Sequence, residues 1–466
     1  MVTAVIVSIV LMGFLLIATE LFNRMNKAAV AMFVGVTCWL LYICFGLDFV
    51  TSEHAAEFAN FVKQSEGEAL TGVKAFIAQN VFAHYVVGVS QIILFLIATM
   101  SIVEVLNNNG CFDFVSEWLT TASPRGFLWR LAGITFLLSA NLDNLLTVCM
   151  MLTVVHSLVA DSGLRRTYGS AVVVAAACGG AFTVIGDAST LVMWVNGLIT
   201  PTAFSAKLIL PCMAAAGVTL ALLGRRLPRR LPLVRVAPPY RGDDTVLNRW
   251  QRMLLLVVGV GGLWFIPTFH RLTLLPPFLG ALCVLALLWI VNELCNRSLL
   301  GSDQMVRKRQ PMALQYANMQ HLLFFIGISL AMGAVKETGA LKGLMVWWTD
   351  YVSNIYIVSA AAGLCAAAFN NVATVLADVN IFAQELVPRN AAFTGYLAEN
   401  GDFWPLLSLS TAMGSCCLTI GSFGGFSLMR MEDVSFGWYI RHVTPKVLAG
   451  WAAGVLVFAL SGWLAA

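Results

Sequence analysis

The chain has 466 residues; 59% are apolar, only 11% are charged, the mean hydropathy is +0.82 and the net charge is +4. A soluble domain carries about 25% charged residues, so a water-exposed globule is excluded, as are a disordered chain, a collagen-like repeat and a secreted disulfide scaffold. What remains is an all-α polytopic membrane protein whose first partner is the lipid bilayer. No basic patch is interleaved with stacking aromatics, so no nucleic-acid partner is expected. Met1 to Val5 lack the basic start of a signal peptide, and the first apolar segment is read as a retained span. The 11 Cys contain no C-x-x-C spacing and read as small packing residues.

A helix needs about 20 apolar residues to cross about 30 Å of hydrocarbon. Segments 3–19, 28–47, 86–106, 204–223, 253–269, 277–296, 319–335 and 443–464 meet that requirement. The stretch 49–85 between the second and third is acidic and amphipathic, as expected of a segment on the outer surface. Four further apolar regions, 127–160, 168–199, 354–386 and 406–429, are interrupted. In 127–160 two arms flank Asn141-Leu142-Asp143-Asn144. Their lengths suit either a hairpin that enters the membrane and turns back or one long broken span.

Charge chooses between these, because Lys and Arg favour the cytoplasmic side. With 127–160 and 354–386 as re-entrant hairpins, 168–199 and 406–429 as broken spans and the N-terminus outside, 20 of the 28 Lys and Arg fall inside and 6 outside. As single spans the bias reverses. The chain then divides into 1–223, a basic cytoplasmic linker 224–252, and 253–466. Each half has five spans, one of them broken, plus one hairpin. An odd number of spans inverts the second half, which is the inverted-repeat plan of secondary transporters. Ala140-Asn141-Leu142-Asp143-Asn144-Leu145 matches Ala367-Ala368-Phe369-Asn370-Asn371-Val372, and the stretch from Gly179 to Asp187 matches Ser415 to Ser422. Both support a duplication.

Backbone broken inside a membrane is tolerated only where it lines a cavity or binds something. Breaks are expected at Gly179-Gly180, at Ile185-Gly186-Asp187, from Gly421 to Gly424-Gly425, and at the two hairpin tips. Asp143 sits at one tip and Asp187 at one break, with no Lys or Arg placed beside either. An ionisable group at that depth is costly unless paired or hydrated. A proton or a metal cation is the natural compensation, and a carboxylate that holds either but not both is the working part of a cation/proton exchanger. Na⁺ or Li⁺ suits a shell of carboxylate, amide, hydroxyl and carbonyl oxygens. The plainer reading is that each acid caps a half-helix. Asn141, Asn144, Thr147, Thr183, Gly186, Asn370, Asn371 and Ser422 complete the candidate set. Asp378 is a candidate second proton site, and Glu337, near an outer membrane end, a candidate guide for cations. No resident cofactor is expected.

The runs from Ser139 to Thr147 and from Gly179 to Thr190 resemble the two signature regions of NhaD-type sodium/proton antiporters of the ion-transporter superfamily. Gly421-Ser422, Met429-Arg430-Met431-Glu432 and Trp438-Tyr439 are similar to that family's C-terminal pattern. The resemblance implies an elevator-type carrier, usually a homodimer, with a scaffold and a transport domain, in a bacterial-type inner membrane. It implies that Asp143, Asn144, Thr183 and Asp187 are functional. The family's Asp-Asn-Val-Pro at the second tip is here Asn370-Asn371-Val372-Ala373, one carboxylate fewer. A sodium-coupled carrier of a small anion, a di- or tricarboxylate or a metalloid oxyanion, is the alternative on the same architecture. No catalytic motif of an intramembrane enzyme is present in a span.

Overall fold

The computed structural model describes residues 2–23, 25–64, 69–119, 123–225, 227–228, 247–295, 312–352, 354–383 and 391–465. Most of the basic linker 224–252 and the end of the second hairpin, 384–386, lie outside them. The described residues are helical throughout. The first half contains α1 (Val2–Ala18), α2 (Glu20–Asn23), α3 (Lys27–Cys44), α4 (Gly46–Glu53), α5 (Ala55–Gln64), α6 (Ala69–Phe76), α7 (Ala83–Asn108), α8 (Asp113–Trp118), α9 (Pro124–Ser139), α10 (Asn144–Leu158), α11 (Ser162–Ala181), α12 (Ala188–Val195) and α13 (Pro201–Gly224). The second contains α14 (Arg249–Thr273), α15 (Pro277–Cys295), α16 (Met312–Glu337), α17 (Ala340–Trp347), α18 (Ile355–Phe369), α19 (Asn371–Phe382), α20 (Ala391–Leu397), α21 (Phe403–Ser415), α22 (Phe423–Met431), α23 (Phe436–His442) and α24 (Thr444–Ala465).

Seven helices among the described residues are long and apolar enough to cross a membrane. They fall within α3, α7, α13, α14, α15, α16 and α24; α1, at 17 residues, is slightly shorter. The protein is thus a multi-pass membrane protein. The second of these runs from Gly72 to Asn108, because a π-helical turn joins α6 to α7. Residues 72–85 therefore belong to a long rod and not to an outer loop.

Helix ends follow local chemistry. Ser123 accepts from Gly126 N with Pro124 in the first turn, so α9 starts there. Asp161 caps α11 and Asn248 with Gln251 closes a capping box on α14. The regions 127–160 and 354–383 each form a helical hairpin. Phe127 meets Tyr168 at one end of α9, with ring centroids 4.8 Å apart, and Ser139 Oγ donates to Ala176 O at the other, 2.7 Å. So α9 runs parallel to α11. In α10 the order reverses: Asn144 N donates to Gly186 O, and Arg165 donates to Ala160 O just beyond its far end. In the second hairpin Gly363 and Ala367 lie against Gly414 and Gly421, while Phe382 packs on Phe403, 5.0 Å between centroids.

The breaks lie at 182–187 and 416–422. Gly179 and Gly180, expected as breaks, are buried inside α11, and Gly424 and Gly425 are inside α22. They serve close approach instead: a Cβ on Gly179 would stand 2.3 Å from Phe136 O. Packing recurs in matched pairs. α3 lies on α16 and α7 on α15; α1 on α3 and α14 on α15; α10 on α22 and α12 on α19; α13 meets α24 and α11 meets α21.

Segment 46–64 is strapped to the end of α16. His54 Nε2 lies 2.7 Å from Glu337 Oε2 and its Nδ1 3.1 Å from Glu57 Oε2; Tyr85 OH donates to Glu337 Oε1 at 2.7 Å, and Lys342 pairs with Glu53. Partial burial disfavours the imidazolium, but Glu337 and Glu57 outweigh it and hold the His54 pKa above the ordinary imidazole value. A raised folded-state pKa stabilises below the unfolded value of about 6.5 and is lost as the pH climbs through the folded one. Thermal melts of wild type are expected to fall over that climb and those of His54→Gln to lose that component. An undiminished pH dependence in His54→Gln would assign it to other groups.

Candidate functional site

The two tips and the first break meet in the interior. Asp143, 4% exposed, caps α10: its Oδ1 accepts from Leu145 N at 2.9 Å and Leu146 N at 3.3 Å. Its Oδ2 has no hydrogen-bond partner among the described residues. One turn on, the Thr147 hydroxyl is buried without a partner among the described residues. Asp187, 7% exposed, stands ahead of α12, and its Oδ2 accepts from Ser189 Oγ at 2.8 Å and from Asn371 Nδ2 at 2.5 Å. The amide bond joins the first break to the second tip. The backbone bond from Asn144 N to Gly186 O joins the residues that follow Asp143 and precede Asp187.

The break is fastened to the first tip as well. Thr183 Oγ1 donates to Ala140 O at 2.7 Å, and Asn144 N donates to Gly186 O at 3.1 Å. Gly186 is enclosed by Thr183 Oγ1, Ser139 O and Gly180, with no room for a side chain. At the second tip Asn370 has φ 99° and ψ 145°, outside the left-handed helical region that Asn favours and close to one otherwise kept to glycine. Its Oδ1 accepts from Val372 N at 3.0 Å, while its Nδ2 is buried with no partner among the described residues. Ser422, in the second break, caps α22 through Gly425 N at 2.9 Å.

Asp143, Asn144, Thr183, Gly186, Asp187 and Asn371 are therefore linked, with Thr147 and Asn370 adjoining them on the tip helices. Asn141 faces elsewhere: its amide nitrogen donates to Leu137 O and its oxygen accepts from Trp264 Nε1 on α14. Glu337 is engaged by His54 and Tyr85 at the end of α16. Asp378, on α19 two turns past the tip, keeps a buried oxygen without a partner. Ser189, outside the candidate set, is the polar group that meets Asp187 two residues along the chain. Lys27, counted in the sequence as a loop charge, is buried at the start of α3.

Among the described residues no Lys, Arg or His is paired with Asp143, Asp187 or Asp378. Glu432, in contrast, is closed by Arg165 at 2.6 Å and His156 at 2.8 Å, a structural triad. Nor do three His, Cys, Asp or Glu side chains gather as a soft-metal site among the described residues. Two carboxylates amid hydroxyl, amide and carbonyl oxygens form a donor set for a hard cation.

The family model described as Citrate transporter (CitMHS) matches residues 14–393, most of the chain. The chain belongs to the citrate-transporter family. The match covers both tips and the first break; the second break lies beyond it. This member of the citrate-transporter family is also similar to proteins named for sodium/proton antiport. It is 32% identical over 380 residues to Sodium/proton antiporter 1 of Arabidopsis thaliana, covering 80% of this chain and 62% of the relative. To Sodium/proton antiporter 2 of the same plant it is 31% identical over 376 residues, covering 80% and 86%. To Na(+)/H(+) antiporter NhaD of Vibrio cholerae it is 23% identical over 418 residues, covering 82% and 81%. The chain thus spans less than two thirds of the first relative's length. The NhaD-type resemblance read from the tip and break motifs agrees with these names, and the family is one of transporters.

Proposed function

We propose that the protein exchanges Na⁺ or Li⁺ for H⁺ across a bacterial-type inner membrane by alternating access. One observation carries this reading: Asp143 and Asp187 are both buried, on segments joined by the bond from Asn144 N to Gly186 O, with no basic partner among the described residues, so a proton or a metal cation is what neutralises them. Thr147 and the free oxygen of Asp143 add unpaired donors for a cation. The matched helix pairs support two inverted repeats, 1–223 and 253–466, with hairpins that re-enter the membrane. On that plan the tips and breaks move as a transport domain against a scaffold built on α3, α7, α15 and α16, in a homodimer.

A second reading has an observation of its own. Asn370 Nδ2 is a buried donor without a partner, and a donor suits an anion such as citrate, not a cation. Two carboxylates nearby would repel a polyanion, which favours the first reading. In everted vesicles, recovery of a quenched pH-gradient dye on addition of Na⁺ or Li⁺ is expected. Silence there, with sodium-driven uptake of labelled citrate into proteoliposomes, would replace the first reading with the second.

A further inference from the structure

Lys27 is 4% exposed, and its ammonium has no hydrogen-bond acceptor among the described residues. Among the described residues its one ion-pair partner is Glu20, whose Oε2 is 3.9 Å away, beyond hydrogen-bond reach. Three aromatic rings stand around the ammonium. The Phe423 ring centroid is 3.7 Å from Nζ, with Phe426 at 5.3 Å and Phe324 at 5.9 Å. His321, also buried, stands edge-on to Phe423 at 4.7 Å between centroids. Three rings around one ammonium form a cation–π cage.

The cage joins two groups of helices. Lys27 begins α3, and Phe324 and His321 belong to α16, the partner α3 packs on most closely. Phe423 is the first residue of α22, next to Ser422 in the second break, and α22 packs on α10 behind the first tip. The two breaks are unlike in charge: the first holds Asp187, whereas the second holds Ser422 with a lysine across from it. Methionine or leucine would fill the same space without desolvating a charge, so the ammonium is not explained by packing alone.

We infer that Lys27 is a cation–π latch that holds the half-helix α22, and with it the second break, against α3 and α16 in this conformation. Release of the latch accompanies the movement of α22. Lys27 is a positioning residue; it acts through Phe423. The latch stands on geometry alone, and only its part in turnover rests on the transport reading above.

His321→Cys on α16 puts a reporter thiol on this seam, since the buried His321 ring lies 4.7 Å from the Phe423 ring of α22. The experiment measures alkylation of that thiol by N-ethylmaleimide in the full chain, read from its peptide by mass spectrometry. Added to His321→Cys, Lys27→Met is expected to speed alkylation about tenfold, the effect of losing a desolvated cation–π contact. Lys27→Arg should stay near the rate of His321→Cys alone, and Phe423→Leu should speed it like Lys27→Met. Should either of the last-named pair fail to fold, the other decides. An unchanged rate with Lys27→Met or with Phe423→Leu overturns the latch. A wild-type protein that gives no Na⁺ response in vesicles would sink the exchange reading while leaving this result to stand by itself.

Discussion

Asp143→Asn and Asp187→Asn are each expected to lower Na⁺-driven dye recovery in everted vesicles about a hundredfold, with the folded protein retained. Removing one charged partner from a buried charge interaction costs on the order of 3 kcal/mol, which is about two decades in affinity. The fold is expected to survive because asparagine keeps what each acid does structurally. At 143 its oxygen still accepts from Leu145 N and Leu146 N, and asparagine is as good a helix cap as aspartate. At 187 its oxygen can still accept from Ser189 Oγ and Asn371 Nδ2. Losing a desolvated charge should leave the melting temperature equal or higher. Wild-type exchange in both variants would reduce the acids to caps and remove the basis of the proposed exchange. Low exchange with a collapsed melting temperature would assign them to structure instead.

The largest loss of stability is expected from Gly414→Ala. A Cβ there would lie 1.9 Å from Gly363 O, 2.5 Å from its carbonyl carbon and 2.7 Å from its Cα. All three are backbone, so no rotamer change relieves the clash; α18 and α21 must separate. Overpacking costs about 1–3 kcal/mol where side chains can shift and more where they cannot. Separation would also displace the second tip, which α18 carries. Gly133→Ala on α9 is the matched control, since a Cβ there meets nothing within 4 Å. Detergent-solubilised melts should show a large fall for Gly414→Ala and little change for Gly133→Ala. Equal melts would mean that α18 and α21 do not need backbone contact.

Much of the architecture was legible in the chain. Long apolar runs mark the spans because each must satisfy its own backbone inside lipid. The polar clusters at 141–144 and 370–371 mark the tips for the same reason, since only a turn or a bound group makes them tolerable there. The breaks were less legible. Gly179-Gly180 and Gly424-Gly425 look like helix breakers, yet they lie inside helices. Glycine serves equally to break a helix and to let another backbone touch it, and only the neighbour distinguishes these uses.

The sequence by itself determined that this is a multi-pass membrane protein with interrupted apolar segments and two acids without a basic neighbour, because apolar length and misplaced charge are properties of the chain read in order. Only the tertiary structure decided which polar group meets which. It brought Asn371 to Asp187 across 184 residues, fastened Thr183 to the first tip, turned Asn141 toward Trp264 and enclosed Lys27 in rings. Those pairings depend on helices far apart in the chain packing at close range, and no local spacing encodes them.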